Sequence, residues 1–216
     1  MPKQKPFVAI IDYQLSNMFS VKHVFDYLDI PSVITSDPQV LAQAQAAVLP
    51  GVGAFGDAMK NLDDLKLSAA IQSFVVNRPL MGVCLGLQLL FSESDEFGKH
   101  EGLHLVKGHV KKLPQKSPEG EPIRVPQIGW NTITSAQKTW QKTPLAQLPQ
   151  SSFMYFVHSY YVVPDEPFVE LTRTEYQGFE YCSGIYKENI FALQFHPEKS
   201  GPKGVEIYRH WYDNYV

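Results

Sequence analysis

Cysteine is almost absent from this chain: two residues, Cys84 and Cys182, in 216. Two isolated cysteines build no disulfide framework, and no cluster of ligands suggests zinc or another metal. An excess of basic charge is missing as well. The chain has 19 Lys and Arg against 22 Asp and Glu, a net charge of −3. The basic residues are scattered, so there is no electrostatic footprint for nucleic acid. Long hydrophobic runs are missing too. The longest, around 79–91, is too short and too broken by glycine to span a bilayer. The segment Met1–Pro6 lacks the apolar stretch of a signal peptide. Repeats and low-complexity tracts are absent. These absences lead us to expect a soluble cytoplasmic protein with no membrane or nucleic-acid partner. With 44% hydrophobic residues, a single domain over 1–216 with a full core is expected.

What is present starts as an alternation of strand and helix. Phe7–Ile11 is a short continuous apolar run, typical of a buried parallel strand. Val21, Val24, Phe25 and Leu28 recur at helical spacing in a helix starting near Asn17. Ser32–Thr35 and Ala46–Leu49 read as the next strands, and the latter ends in the loop Pro50-Gly51-Val52-Gly53. One or two helices run through Ala58–Val76, and Leu80–Val83 is a fourth strand. This order argues for a parallel α/β sheet. After about residue 103 the pattern changes. Leu103–Leu113, Val125–Thr134, Phe153–Val163, Phe168–Arg173 and Phe179–Tyr186 are strand-like, which predicts an antiparallel or mixed half. The stretch 114–122 reads as a surface loop. Phe191–His196 alternates, and a helix over about 203–214 follows.

Gly82-Val83-Cys84-Leu85-Gly86 joins the fourth strand to an apolar-periodic helix beginning around Leu87–Phe91. G-x-C-x-G at a strand-to-helix corner is the cysteine form of a nucleophile elbow. The turn lifts the side chain above the sheet, and the helix N-terminus favours a thiolate and offers free N–H groups to an oxyanion. An isolated G-x-C-x-G fits a buried structural cysteine equally well. His196-Pro197-Glu198 adds a second element at a strand end, where ligands meet open parallel sheets. Pro197 holds His196 extended, and Glu198 can return to the imidazole. Nucleophile, base and orienter then make a triad. The Pro50–Gly53 loop is either a turn needing positive φ or, with the N–H of Leu85, an oxyanion hole.

Together these segments resemble the class I (triad-type) glutamine amidotransferases. Further segments carry a narrower resemblance, to the glutaminase-subunit branch that serves imidazole glycerol phosphate synthase. They are Ile11-Asp12-Tyr13 with Asn17–Val21, Leu49–Phe55, Ile128–Asn131, Tyr155–Tyr161 and His196–Ser200, spread over nearly the whole chain. The resemblance implies a three-layer, flavodoxin-like α/β fold: a parallel or mixed central sheet flanked by helices, with an additional antiparallel sheet. It implies that Cys84 attacks the carboxamide of L-glutamine and that His196, oriented by Glu198, protonates the departing ammonia. Gly51, Val52, Gly53 and Leu85 would hold the oxyanion. Gln88, Glu96, Ser159 and Tyr160 would bind the glutamine head group; Gln88 also fits the polar face of a core helix. No cofactor is implied. Asn17, Trp130, Tyr155 and Lys199 would face a separate (β/α)8 synthase subunit in a heterodimer, which receives ammonia through a channel for histidine biosynthesis.

The chain departs from the branch's pattern where Asp12-Tyr13-Gln14-Leu15-Ser16-Asn17 lacks two turn glycines, and where Gln127 stands for a residue often His. These departures leave a second acceptor open: a sugar-amidating enzyme of surface polysaccharide synthesis. Two non-enzyme readings stand beside it, an elbow-cysteine redox or chaperone-like protein and an inactive scaffold. Elbow-cysteine relatives of that kind generally lack His-Pro-Glu at a strand end, and an inactive scaffold need not keep all three triad residues.

Overall fold

A computed structural model describes residues 6–15, 17–137 and 139–216. Most of the opening segment and Ser16 of the departing motif therefore lie outside the described residues. The first half runs β1 (Val8–Ile11), α1 (Met18–Tyr27), β2 (Ser32–Thr35), α2 (Pro38–Leu41), β3 (Ala46–Leu49), α3 (Phe55–Asp64), α4 (Leu67–Val75), β4 (Leu80–Val83) and α5 (Leu85–Leu89). The second half runs β5 (Phe91–Ser94), β6 (His100–Glu101), β7 (Val106–Lys112), β8 (Gln127–Ser135), β9 (Ser151–His158), β10 (Tyr160–Pro164), β11 (Glu170–Tyr176), β12 (Phe179–Lys187), β13 (Ile190–Leu193) and α6 (Gly201–Tyr215).

The strands form one mixed sheet in the order β2-β1-β3-β4-β13-β12-β10-β7-β5-β6. Its first five strands are parallel. β13 comes from the far end of the chain and pairs in parallel with β4 and antiparallel with β12. An antiparallel arm of β11, β8 and β9 branches from β12. Helices cover both faces. On one, Phe55 and Leu62 of α3 and Ile71 and Phe74 of α4 pack on Ala9, Ile11 and Leu49. On the other, Val21 and Phe25 of α1 and Ile207, Tyr208 and Trp211 of α6 pack on Val8, Val48, Met81 and Leu193. α3 buries Phe55, Ala58, Met59 and Leu62, one stripe at helical spacing. This is the three-layer α/β arrangement expected above, with its antiparallel portion joined to the main sheet.

Three local expectations change. The helix after the elbow is only five residues long, Leu85–Leu89. The Leu90 N–H donates to the Leu87 carbonyl, and Phe91 then pairs with Val106 as a strand. An apolar run cannot by itself distinguish a buried helix from a buried strand. Phe153–Val163 is two strands broken at Ser159. Phe191–His196 is strand only as far as Leu193, and all four residues of β13 are buried. It is a central strand covered on both faces, with His196 just beyond its end.

The elbow requires close packing. Cys84 sits at φ 55° and ψ −109°, a conformation rare outside glycine that costs about 1–3 kcal/mol. A Cβ on Gly86 would collide with the Leu49 carbonyl, and one on Gly82 would lie 2.9 Å from the Ala192 side chain. Gly86→Ala must therefore push β3 away from α5. We expect it to destabilise the chain by about 1–3 kcal/mol. A thermal melt will show a drop of several degrees.

Candidate active site

Cys84 follows the last residue of β4, and its N–H donates to the Leu193 carbonyl of β13 (2.8 Å). The parallel register Val83–Leu193 thus brings the cysteine beside the segment that leads to His196. Pro197 opens a single 3₁₀ turn over Pro197–Lys199, which folds Glu198 back onto the ring. His196 Nδ1 and Glu198 Oε1 are 2.7 Å apart, with both side chains at most 2% exposed. Because Nδ1 is committed to the carboxylate, Nε2 is the nitrogen available to the sulfur. Among the described residues Nε2 makes no hydrogen bond of good geometry. Burial pulls the imidazole pKa down, but the Cys84 sulfur and then Glu198 outweigh it and raise it to about 10. The ring therefore carries a proton at neutral pH.

The segment holding the ring is tied to β9 by two hydrogen bonds, and a third closes the segment on itself. The His196 N–H donates to the Tyr155 carbonyl (2.9 Å). The Tyr155 N–H donates to Ser200 Oγ (3.0 Å), whose hydroxyl donates to the His196 carbonyl (2.6 Å).

A cavity of about 240 Å3 opens over Cys84. Of the residues singled out from sequence, it is lined by Val52, Gly53, Leu85, Gln88, Glu96, Ser159 and Tyr160. Gly51 is not part of its wall; it packs beneath the Tyr13 hydroxyl. Two bonds hold the glycine loop to the segment after β1. Tyr13 Oη donates to the Pro50 carbonyl (2.8 Å), and the Val52 N–H donates to the Leu15 carbonyl (3.0 Å). In this conformation the Val52 N–H is occupied. The N–H of Leu85, at the start of α5, belongs to the group that helices leave without internal partners.

Glu96 uses one carboxylate oxygen to accept from the Phe55 N–H at the start of α3 (2.6 Å). Burial raises its pKa, partly opposed by that N–H and by His100. Trp130 and Tyr155 are cross-strand partners on β8 and β9, packed edge to face with centroids 6.2 Å apart. Trp130 is 56% exposed. Lys199 is exposed and Asn17 half-buried. α1 and β9 both pack against the turn that carries Lys199.

Several residues here were not singled out from sequence. His158 and Val157 also line the cavity. His158 is buried, and its pKa is lowered to about 4, by desolvation first and by His196. As a neutral ring it donates from Nδ1 to the Tyr160 carbonyl (2.8 Å) and accepts at Nε2 from the Tyr181 hydroxyl (3.0 Å). Tyr181 Oη also lies 2.8 Å from Gln127 Oε1, while Gln127 Nε2 has no partner among the described residues. One phenolic proton cannot serve both contacts. Exchanging the O and N of the Gln127 amide lets that amide donate to Tyr181 and leaves the phenolic proton for His158. Gln127, where a histidine is common, is thus one end of a buried chain that fixes the Ser159–Tyr160 wall. Gln194, fully buried, stands between Gln88 and Cys84. Its one sequence signal is a carboxamide inside the apolar run Phe191–Phe195.

The arrangement can do nucleophilic chemistry with acid–base assistance on a small polar substrate. Residues 9–214 match the family model for class I glutamine amidotransferases, and the chain belongs to that family. Within it, relatives at about 40% identity are named as one particular subunit. Imidazole glycerol phosphate synthase subunit HisH of Geobacter metallireducens is 39% identical over 206 residues, 94% of this chain and 96% of that protein. Subunit HisH 1 of Legionella pneumophila strain Paris is 41% identical over 203 residues, 93% and 95% of the two chains. Subunit HisH of Syntrophotalea carbinolica is 42% identical over 209 residues, 95% and 99%. Among solved structures, PurLQS from Thermotoga maritima matches with a TM-score of 0.74 at 17% identity, covering 97% of this chain and 99% of that one. The glutaminase domain of Trypanosoma brucei CTPS matches with a TM-score of 0.64 at 16% identity, covering 98% and 96%. These two likenesses show the fold.

Two outcomes follow. A glutamine-mimicking electrophile should label Cys84 and spare Cys182, whose thiol is pushed up by complete burial; mass spectrometry of the labelled peptides reads this directly. The second concerns pH. The folded-state pKa of His196, about 10, lies above its ordinary value of 6.5. Its proton therefore stabilises the fold fully below about pH 6.5, and that stability is lost as the pH rises through about 10. Glu198→Gln removes part of this effect. The difference in melting temperature between the unaltered chain and Glu198→Gln should be largest at the acid end of that window and shrink towards the alkaline end.

Proposed function

We propose that this chain, as one glutamine amidotransferase domain over 1–216, is the glutaminase subunit of an imidazole glycerol phosphate synthase in histidine biosynthesis, acting in the cytoplasm. The observation that carries the reading is the buried His196–Glu198 pair set by strand register beside an elbow cysteine, in a chain about 40% identical over nearly its full length to HisH subunits.

Cys84 Sγ attacks the side-chain carbonyl carbon of L-glutamine, with its proton on His196. The oxyanion is held by the N–H of Leu85 and by the Gly51–Gly53 loop; each such donor is worth about 2.7–4 kcal/mol. His196 passes its proton to the nitrogen as the C–N bond breaks, and ammonia leaves. Water then attacks the γ-glutamyl thioester with His196 as base, releasing L-glutamate and restoring the thiol. Gln88, Glu96, Ser159 and Tyr160 hold the substrate's amino-acid head. Their common position on the cavity wall supports this.

Ammonia then goes to a (β/α)8 synthase subunit. Support for a docking face comes from Ile128, Trp130 and Phe153, each more than half exposed on one face of the β8–β9 ladder. Tyr155 and Lys199 lie beside them, and Asn17 at the start of α1 completes the face. Tyr155 also holds the His196 main chain, so a partner pressing on this face touches the triad's support.

Occupation of the Val52 N–H by Leu15 supports a gated site. A partner that favours the released loop shifts the population towards it by differential binding. The isolated chain should hydrolyse glutamine weakly, and the barrel with its ribulosyl ligand should raise the rate mainly through kcat. Trp130→Ala should weaken association by roughly 2 kcal/mol, the range of an aromatic anchor. Glutamate release with and without the barrel, plus a binding titration, measures both. Full activity of the isolated chain would remove the gate. Activation only by a sugar-amidating enzyme would reassign the acceptor.

A further inference from the structure

Gln88 and Gln194 form a relay whose polarity is set by the main chain. Gln88 Nε2 lies 3.0 Å from the Tyr160 carbonyl, which can only accept. The NH2 of Gln88 must therefore face it, and the second N–H of that group donates to Gln194 Oε1 at 3.1 Å. This fixes the Gln194 carboxamide in turn, and its Nε2 donates to Cys84 Sγ at 3.7 Å. Gln88 is 5% exposed and Gln194 fully buried, so water does not replace these bonds.

The sulfur's other contact acts in the opposite sense. Cys84 Sγ lies 3.8 Å from the Val157 carbonyl. That oxygen accepts from a thiol and repels a thiolate. The Gln194 N–H, by contrast, gains strength when the sulfur is ionised, because charge-assisted hydrogen bonds are roughly twice as strong as neutral ones. The titratable groups around the sulfur are His196, beyond β13, Tyr13, beyond β1, and Glu96, His158 and Tyr160 on the wall of the same cavity. Gln194 is an uncharged donor to the same sulfur.

We propose that Gln194 is a positioning residue for the glutaminase reaction. It donates to the Cys84 thiolate while orienting Gln88, so that both N–H groups of Gln88 are engaged and Oε1 remains to accept from the substrate's ammonium. The relay ties the substrate-binding wall at Tyr160 to the nucleophile through two amides. The inference rests on Cys84 being the nucleophile.

The test uses the full chain, iodoacetamide as probe, and the rate of Cys84 alkylation followed by mass spectrometry from pH 5 to pH 9. Gln194→Met keeps the length of the side chain and removes both hydrogen bonds. Gln194→Glu keeps an acceptor for Gln88 and loses the N–H towards sulfur. Both should lower the alkylation rate near neutral pH about tenfold and move the profile to higher pH, since one tenfold step corresponds to one unit of proton affinity. Gln194→Met should also raise KM for glutamine, whereas Gln194→Glu should lower kcat more than it raises KM. A merely structural role would lower activity and leave the alkylation profile in place. Superimposable profiles in both variants and the unaltered chain would overturn the relay. Failure of the unaltered chain to react at Cys84 would instead overturn the glutaminase reading.

Discussion

A backbone corner at Cys84 is the constraint on which the active end depends. A cysteine at positive φ is unfavourable alone, and it persists because the chain is held on both sides of it. Behind it, Gly82 sits against Ala192 of β13; ahead of it, Gly86 sits against the Leu49 carbonyl of β3. The glycines are there because neighbouring main chains come too close for a Cβ, so the corner and the sheet order impose each other. The same packing sets where the sulfur stands relative to the strand ends, and hence which loops can reach it: the glycine loop after β3 and the histidine segment after β13.

Around that corner several buried polar groups have defined partners, while His196 Nε2, Glu198 Oε2 and Tyr208 Oη have none among the described residues. The histidine has Glu198, the Glu96 carboxylate caps α3, and the Tyr160 carbonyl accepts from both His158 and Gln88. In a buried site an unpaired polar group is costly and a paired one is fixed. The cavity wall and the sulfur therefore share one hydrogen-bonded framework, in which His196 and Glu96 both have raised pKa values.

Much of this was legible in the sequence, for physical reasons. Buried parallel strands are short apolar runs, and β3 and β4 begin and end where those runs do. The elbow and the His-Pro-Glu turn combine residues with few conformational choices, so their geometry follows from their identity. The β5 strand was illegible because Ser92, Glu93 and Ser94 are polar and Phe91 alone continues the apolar run of the preceding helix. The break between β9 and β10 at Ser159 was hidden by aromatic residues on both sides. Gln194 and His158 were missed because each sits inside a run that reads as strand, and their partners, Gln88 and Tyr181, are far away in sequence. Gln127 showed as a departure, but its meaning needed the buried tyrosine and histidine that it meets.

The position of β13 has a consequence in the order of synthesis. β4 and β12 do not pair with each other; both pair with β13. Until residues 190–193 leave the ribosome, the sheet is two separate pieces with a missing central strand, and the cysteine made about a hundred residues earlier has no histidine beside it. The elbow meets the His196–Glu198 pair only once β13 is in place, so a chain that stops short of it holds every glycine of the elbow without that pair.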